Sequence, residues 1–79
     1  MRLRVRLYGT LARDLLGESG VSELRVELPN GSRVRDLLAH LGIPSGGGEV
    51  VIGNNRVLSP EARLRDTASV SVFQALAGG

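Results

Sequence analysis

Cysteine is absent from the 79 residues, and with it go disulfides, thiolate metal ligands and any thiol nucleophile. Lysine is absent too: all ten basic residues are arginine. No side chain can therefore accept an isopeptide bond, although the chain could still donate one through its carboxyl end. Tryptophan is missing, and the aromatic rings reduce to Tyr8 and Phe73. No apolar run approaches the ~20 residues of a membrane span, and the amino terminus alternates Arg with Leu or Val where a signal peptide carries an apolar block. A soluble cytoplasmic protein is the expectation. The length leaves room for one domain and no second core. A formal charge of only +2 makes basicity a weak pointer to nucleic acid.

What is present is pattern. "RLRVRLY" (Arg2 to Tyr8) alternates strictly, placing Leu3, Val5 and Leu7 on one face of a strand and Arg2, Arg4 and Arg6 on the other. "TLARDLLG" offers Thr10 as a helix N-cap, a short helix carrying Leu11, Leu15 and Leu16, and Gly17 as its stop. A second alternation sets Leu24, Val26 and Leu28 against Glu23, Arg25 and Glu27 and ends in the turn "PNG". Ser32 is the expected cap of a helix whose Val34, Leu37, Leu38 and Leu41 fall on one stripe, with Gly42 as its left-handed end. Arg33 and Arg35 then sit at the wrong end of the helix dipole.

"EVVIGNNRVL" reads as a strand, an Asn54-Asn55 turn and a short return strand, and "SPEARLRDTA" as a loop with one helical turn over Ser59 to Ala62. "SVSVF" alternates again, Val70 and Val72 on one face, Ser71 and Phe73 on the other. The order is strand, short helix, strand, long helix, strand, short strand, strand. One amphipathic helix over a mixed sheet of four or five strands is an α+β, two-layer solution, the β-grasp or ubiquitin-like roll.

Signals for chemistry within the body are weak. Gly46, Gly47 and Gly48 lack the following Lys-Ser/Thr and the strand-loop-helix setting of a phosphate loop. His40 stands without ligand-spaced neighbours near a helix end that favours a positive charge. Asp14, Glu18, Asp36 and Glu61 form no recognisable acid-base pair. The expectation is a chain that catalyses nothing and binds no metal or cofactor itself.

The ending "FQALAGG" differs in kind. Together with "RLRVRLYGTLARDLLG" and "VELPNGSRVRDLLAHLGI" it resembles, over essentially the whole chain, the ThiS/MoaD family of small sulfur carriers, ubiquitin-like proteins that end in Gly-Gly. The resemblance implies a β-grasp domain over 1–75 and a flexible tail over 76–79. A partner enzyme would use ATP to adenylate the Gly79 carboxylate, which would then become a thiocarboxylate. The sulfur would pass to a precursor of molybdopterin or, as the alternative, of the thiamin thiazole; a ubiquitin-like protein modifier and a carrier for transfer-RNA thiolation are the other roles the resemblance admits. The implied partners are that adenylating enzyme and a sulfurtransferase or the large subunit of molybdopterin synthase; alone, the chain would be a monomer.

Independently of the resemblance, Gly78 and Gly79 give minimal cross-section and open φ values to an end that must thread a channel, with Leu76 and Ala77 leading into it. Some features depart from relatives. No Arg precedes Gly-Gly, as it does in eukaryotic modifiers, and no prolines do, as in MoaD-type tails. The frequent Asp-Gly-Asp turn is here Asp66, Thr67 and Ala68. The early helix favours the MoaD branch.

A mobile tail costs entropy on docking, so affinity must come from the folded body. Phe73, in phase with the open face beside Arg2, Arg4 and Arg6, is the expected anchor, since aromatics flanked by arginine are a common hot-spot composition. A one-residue bulge would instead turn it into the core. The arginine row also admits a sheet platform for nucleic acid, but only Tyr8 and Phe73 could stack bases, which makes that the lesser expectation.

Overall fold

The computed structural model describes residues 1–9, 11–12, 21–43 and 48–74. The alternation of Arg2–Tyr8 forms strand β1, with Leu3, Val5 and Leu7 buried and the three arginines exposed. Strand β2, Val21–Glu27, runs antiparallel to it, and the last strand, β5 (Ser69–Gln74), runs parallel along its other side. Beyond β5 lie β3 (Glu49–Gly53) and the short edge strand β4 (Arg56–Leu58), giving the order β2-β1-β5-β3-β4. Helix α1, Val34–Leu41, covers one face. A five-stranded mixed sheet with first and last strands side by side and one helix across it is the β-grasp roll. No helix among the described residues is long and apolar enough to cross a membrane.

The core forms where the two periodicities meet. Leu3, Val5 and Leu7 from β1 and Val70 and Val72 from β5 face Val34, Leu37 and Leu38 of α1, all 3% exposed or less. At about 1.5 to 3 kcal/mol for each fully buried aliphatic side chain, these contacts are the main favourable term. Leu41, the fourth member of the helical stripe, is only half-buried at the helix end. The short early helix is represented by Leu11 and Ala12, both helical and buried. Thr10, Leu15, Leu16 and Gly17 lie outside the described residues.

The entry to α1 differs from the expected one. Ser32 does not cap: its hydroxyl donates to the Pro29 carbonyl (2.7 Å) and stabilises the preceding turn instead. The cap position is Arg33, an extended residue whose own N–H is accepted by the Asp36 carboxylate at 2.8 Å. That is half of a capping box, because a guanidinium has no lone pair to return. The dipole mismatch of Arg33 and Arg35 is met by Glu61, which reaches both guanidiniums at 3.1 Å from the following loop. At the far end Gly42 takes φ 78°. Its N–H bonds to the Ala39 carbonyl and the Ile43 N–H to that of Leu38, a Schellman motif with Ile43 buried beneath it.

Two turns complete the frame. Asn54 and Asn55 both have positive φ (51° and 61°), as the tight hairpin between β3 and β4 requires. Ser59 to Ala62 makes a single reverse turn, closed by the Ala62 N–H on the Ser59 carbonyl, and not a helix.

Candidate partner-binding face

Among the described residues the helix covers one side of the sheet and leaves the other open, and strand register dictates what that open face presents. Because β1 and β5 are parallel with Arg4 beside Ser69 and Arg6 beside Ser71, the next step brings Tyr8 beside Phe73. The two rings stack with centroids 4.4 Å apart and planes 16° from parallel. Phe73 is therefore on the open face, half-buried by Tyr8, and no bulge turns it inward. Such a stacked pair contributes about 0.5 to 1.5 kcal/mol beyond the area it covers.

The pairing partners extend this spot into a band. Val21 lies opposite Tyr8 on β2, Val50 opposite Phe73 on β3, Ile52 opposite Ser71, and Val57 opposite Ile52 on β4. Val21 and Val57 are 55% and 71% exposed, the large apolar residues most open to water among those described, and both belong to this band. An aliphatic and aromatic strip across a sheet face, rimmed by charge, has the composition of a protein interface. The sequence pattern singles out Phe73 as the anchor and Tyr8 only as a ring able to stack a base, and gives no sign of Val21, Val50, Ile52 and Val57. Tyr8 shares the phase of Arg2, Arg4 and Arg6, so strict alternation could have placed it. The others needed the register.

The arginine row is less uniform than its sequence suggests. Arg2 pairs with Glu27 across β1 and β2 at 3.5 Å, and Arg6 with Glu23 at 3.3 Å. The Arg6 guanidinium is held charged more firmly than an ordinary arginine, first through a side-chain hydrogen bond with Tyr8 and then through Glu23. Arg6 is thus coupled to the aromatic pair, whereas Arg2 and Arg4 lie farther down β1 and do not flank Phe73 as expected. Arg4 faces Arg25, a like-charge pair in the middle of a ladder whose two other charged rungs, Arg2 with Glu27 and Arg6 with Glu23, are complementary. Directly opposed like charges are mildly destabilising. A recess of about 240 Å³ between Arg4, Arg6, Glu23, Ser69 and Ser71 adjoins the band and is wide enough to take one side chain of a partner.

β5 carries this surface to its very end, since Phe73 is followed by Gln74, the last residue of the strand. The expected functional residues Leu76, Ala77, Gly78 and Gly79, and the boundary drawn after residue 75, lie outside the described residues. What the described face offers chemically is adhesion and orientation: an apolar strip with paired and unpaired guanidiniums, placed next to the start of the tail.

A sequence model of the ThiS family matches residues 5–79. No functionally curated protein matches the chain. Among solved structures, the Haloferax volcanii modifier SAMP1 is 19% identical, with all of both chains covered and a TM-score of 0.73, a likeness of fold alone. A Pyrococcus furiosus protein assigned as molybdopterin converting factor, subunit 1, is 28% identical over 96% of this chain and 99% of its own, with a TM-score of 0.70. The HVO 2177 protein of Haloferax volcanii is 29% identical, covering 100% of this chain and 87% of that one, with a TM-score of 0.69.

Proposed function

The chain belongs to the ThiS family, and we propose that it is a sulfur carrier: the folded body over 1–75 is a grip for partner proteins, and the tail over 76–79 is the working part. In this reading the Gly79 carboxylate attacks the α-phosphate of ATP on an adenylating partner, pyrophosphate leaves, and sulfide then attacks the acyl carbon and displaces AMP to leave a thiocarboxylate. The chain supplies the carboxylate and no catalytic group, so it is a co-substrate and not an enzyme. It binds no cofactor of its own, works in the cytoplasm, and is a monomer until it meets the adenylating enzyme or the large subunit that consumes the sulfur.

The observation that carries this reading is the place of the Tyr8–Phe73 stack, half-buried on the helix-free face one residue before β5 ends. A partner gripping that band holds the root of the tail, so the remaining residues have only a short, small-side-chain path to thread. The family match reaching Gly79 supports the same assignment. Molybdopterin is the acceptor pathway we favour, on the likeness to the Pyrococcus furiosus protein and on the leucine-bearing segment after β1.

The test is co-expression with the adenylating enzyme from the same genome, followed by intact mass measurement. The expected product has one oxygen of the last residue replaced by sulfur. A chain that stays unmodified beside an enzyme active on its own ATP–pyrophosphate exchange would refute the carrier reading. Transfer of the sulfur to a thiazole precursor, or appearance of the chain on lysines of other proteins, would move the assignment to another branch of the family.

A further inference from the structure

The described arginines fall into three groups, of which Arg4 and Arg25, opposed to each other across β1 and β2, are one. Arg2, Arg6, Arg33 and Arg35 each meet a carboxylate. Arg56, Arg63 and Arg65 meet none among the described residues, and all three line one open groove of about 480 Å³. The described carboxylates are committed elsewhere. Glu23, Glu27 and Glu61 are in those ion pairs, Asp36 accepts the Arg33 N–H, and Asp66 accepts the Arg2 N–H at 2.7 Å. Glu49 stands opposite Gln74, at the other end of β3 from Gly53, which borders the groove. Three guanidiniums thus rim one concavity with no acid among the described residues of its lining.

The backbone explains the convergence. Arg63 forms a bridge with Arg33, and the Leu64 N–H bonds to the Ser32 carbonyl at 2.9 Å, so this stretch is extended, with Leu64 buried and Arg63 and Arg65 both outside. Arg56 faces them from β4, opposite Gly53. Gly53 lies close beneath Leu58: a Cβ there would come within 2.9 Å of Leu58 Cδ1 and 3.4 Å of Val70 Cγ1, so the Leu58 side chain would have to shift. That close approach lays Leu58 across the groove floor, where it and Ala68 remain half-buried above Leu64 and Val70.

We propose that this groove binds an acidic peptide segment carrying an aliphatic side chain, with carboxylates on Arg56, Arg63 and Arg65 and the aliphatic group on Leu58 and Ala68. Charge complementarity selects the anion, and the floor selects the peptide. No aromatic ring lines the groove, whereas single-stranded RNA relies on rings for base stacking. The groove includes Ser69 and Val70, where β5 begins, and the tail leaves from Gln74, about 17 Å along the strand at ~3.3 Å per residue. A segment bound here leaves the open face and the tail free, so one partner protein could hold both ends, or two partners one each.

Titration of the full-length isotope-labelled chain with an end-blocked pentapeptide, a leucine flanked on each side by two glutamates, tests this without any partner enzyme. Amide shifts are expected at Gly53, Leu58, Ser69 and Val70, with affinity falling at least tenfold when the glutamates become glutamines and several-fold when the leucine becomes glycine. The double variant Arg63→Ser with Arg65→Ser should lose binding tenfold, while Arg35→Ser, with the same charge change per site but outside the groove, should lose little. Shifts elsewhere, indifference to the glutamine peptide, equal losses in Arg35→Ser, or tighter binding of a ten-nucleotide uridine oligomer at the same amides would each overturn the proposal. The peptide comparisons on the unmodified chain decide the matter even if a variant fails to fold.

Discussion

Thr67 carries a measurable strain, and its removal can be worked from the structure. The residue adopts φ 65°, in the left-handed region where a β-branched side chain is crowded by its own backbone. It does so because the turn is fixed from both sides: the Thr67 N–H bonds to the Arg2 carbonyl at 2.8 Å, the Asp66 carboxylate accepts the Arg2 N–H, and the Arg4 N–H takes the Ala68 carbonyl at 2.9 Å. These bonds start the parallel pairing of β5 on β1, so the backbone cannot relax without loosening the sheet.

Thr67→Gly keeps all of them. It relieves about 1 to 2 kcal/mol of left-handed strain, against about 0.4 to 1 kcal/mol for the greater freedom of glycine in the unfolded chain. The hydroxyl contact to the adjacent Asp66 carbonyl is exposed and adds little. The net expectation is a gain of about 0.5 to 1 kcal/mol, or roughly 2 to 8 °C in Tm for a domain of this size. Scanning calorimetry of the full chain, with urea unfolding as a check, measures it. Thr67→Ala, unbranched but still carrying a Cβ, should fall between the two. A glycine variant that melts at or below the parent temperature would refute the strain argument.

Leu38→Ala opens a cavity at a position 1% exposed; it should cost about 2 to 5 kcal/mol by urea unfolding, and a loss below 1 kcal/mol would contradict the core described. Arg25→Glu completes the ladder of opposite charges between β1 and β2 and should raise stability by about 0.5 to 1 kcal/mol at low salt, a gain that shrinks as salt is added; salt-independent stability would argue against a charge effect. Phe73→Ala should cost only about 1 kcal/mol of stability yet raise the KM for adenylation roughly 30-fold, the ~2 kcal/mol of an interface hot spot, and an unchanged KM would remove Phe73 from the interface. Deletion of Gly79 should leave the melting curve within about 1 °C, since tails outside a core contribute little, and abolish pyrophosphate release; residual release at parent rate would place the reacting group elsewhere.

Much of the fold could be read from side-chain phase alone. The alternation of Arg2 to Tyr8 and of Ser69 to Phe73, and the spacing of Val34, Leu37 and Leu38, each point one face at the core, and a residue in phase has only two places to go. Local chemistry was legible where one residue decides it, as at Gly42 and at Asn54-Asn55. It was misread at Ser32, because a serine before a helix can donate backward to a turn as readily as accept forward from the helix, and the choice falls to Arg33 being bridged to Arg63 thirty residues away. Glu61 is the same kind of case: nothing local marks it as the counterion of Arg33 and Arg35.

The candidate sites were legible to different depths for a related reason. Phase places Phe73 on the open face, but only register decides its neighbours, and a parallel pairing between residues more than sixty positions apart cannot be counted out from either strand. That pairing makes Tyr8, and not Arg2 or Arg4, the flank of Phe73, and converts an expected arginine-rimmed anchor into an apolar band with one coupled guanidinium. The same register leaves Arg4 against Arg25, a rung that weakens the sheet and serves no described contact within it. Local choices that oppose the fold persist most readily on surfaces used for something else. The open face combines such a rung with the most exposed apolar residues described, which is why the grip on the tail's root is assigned to it and the core to the helix side.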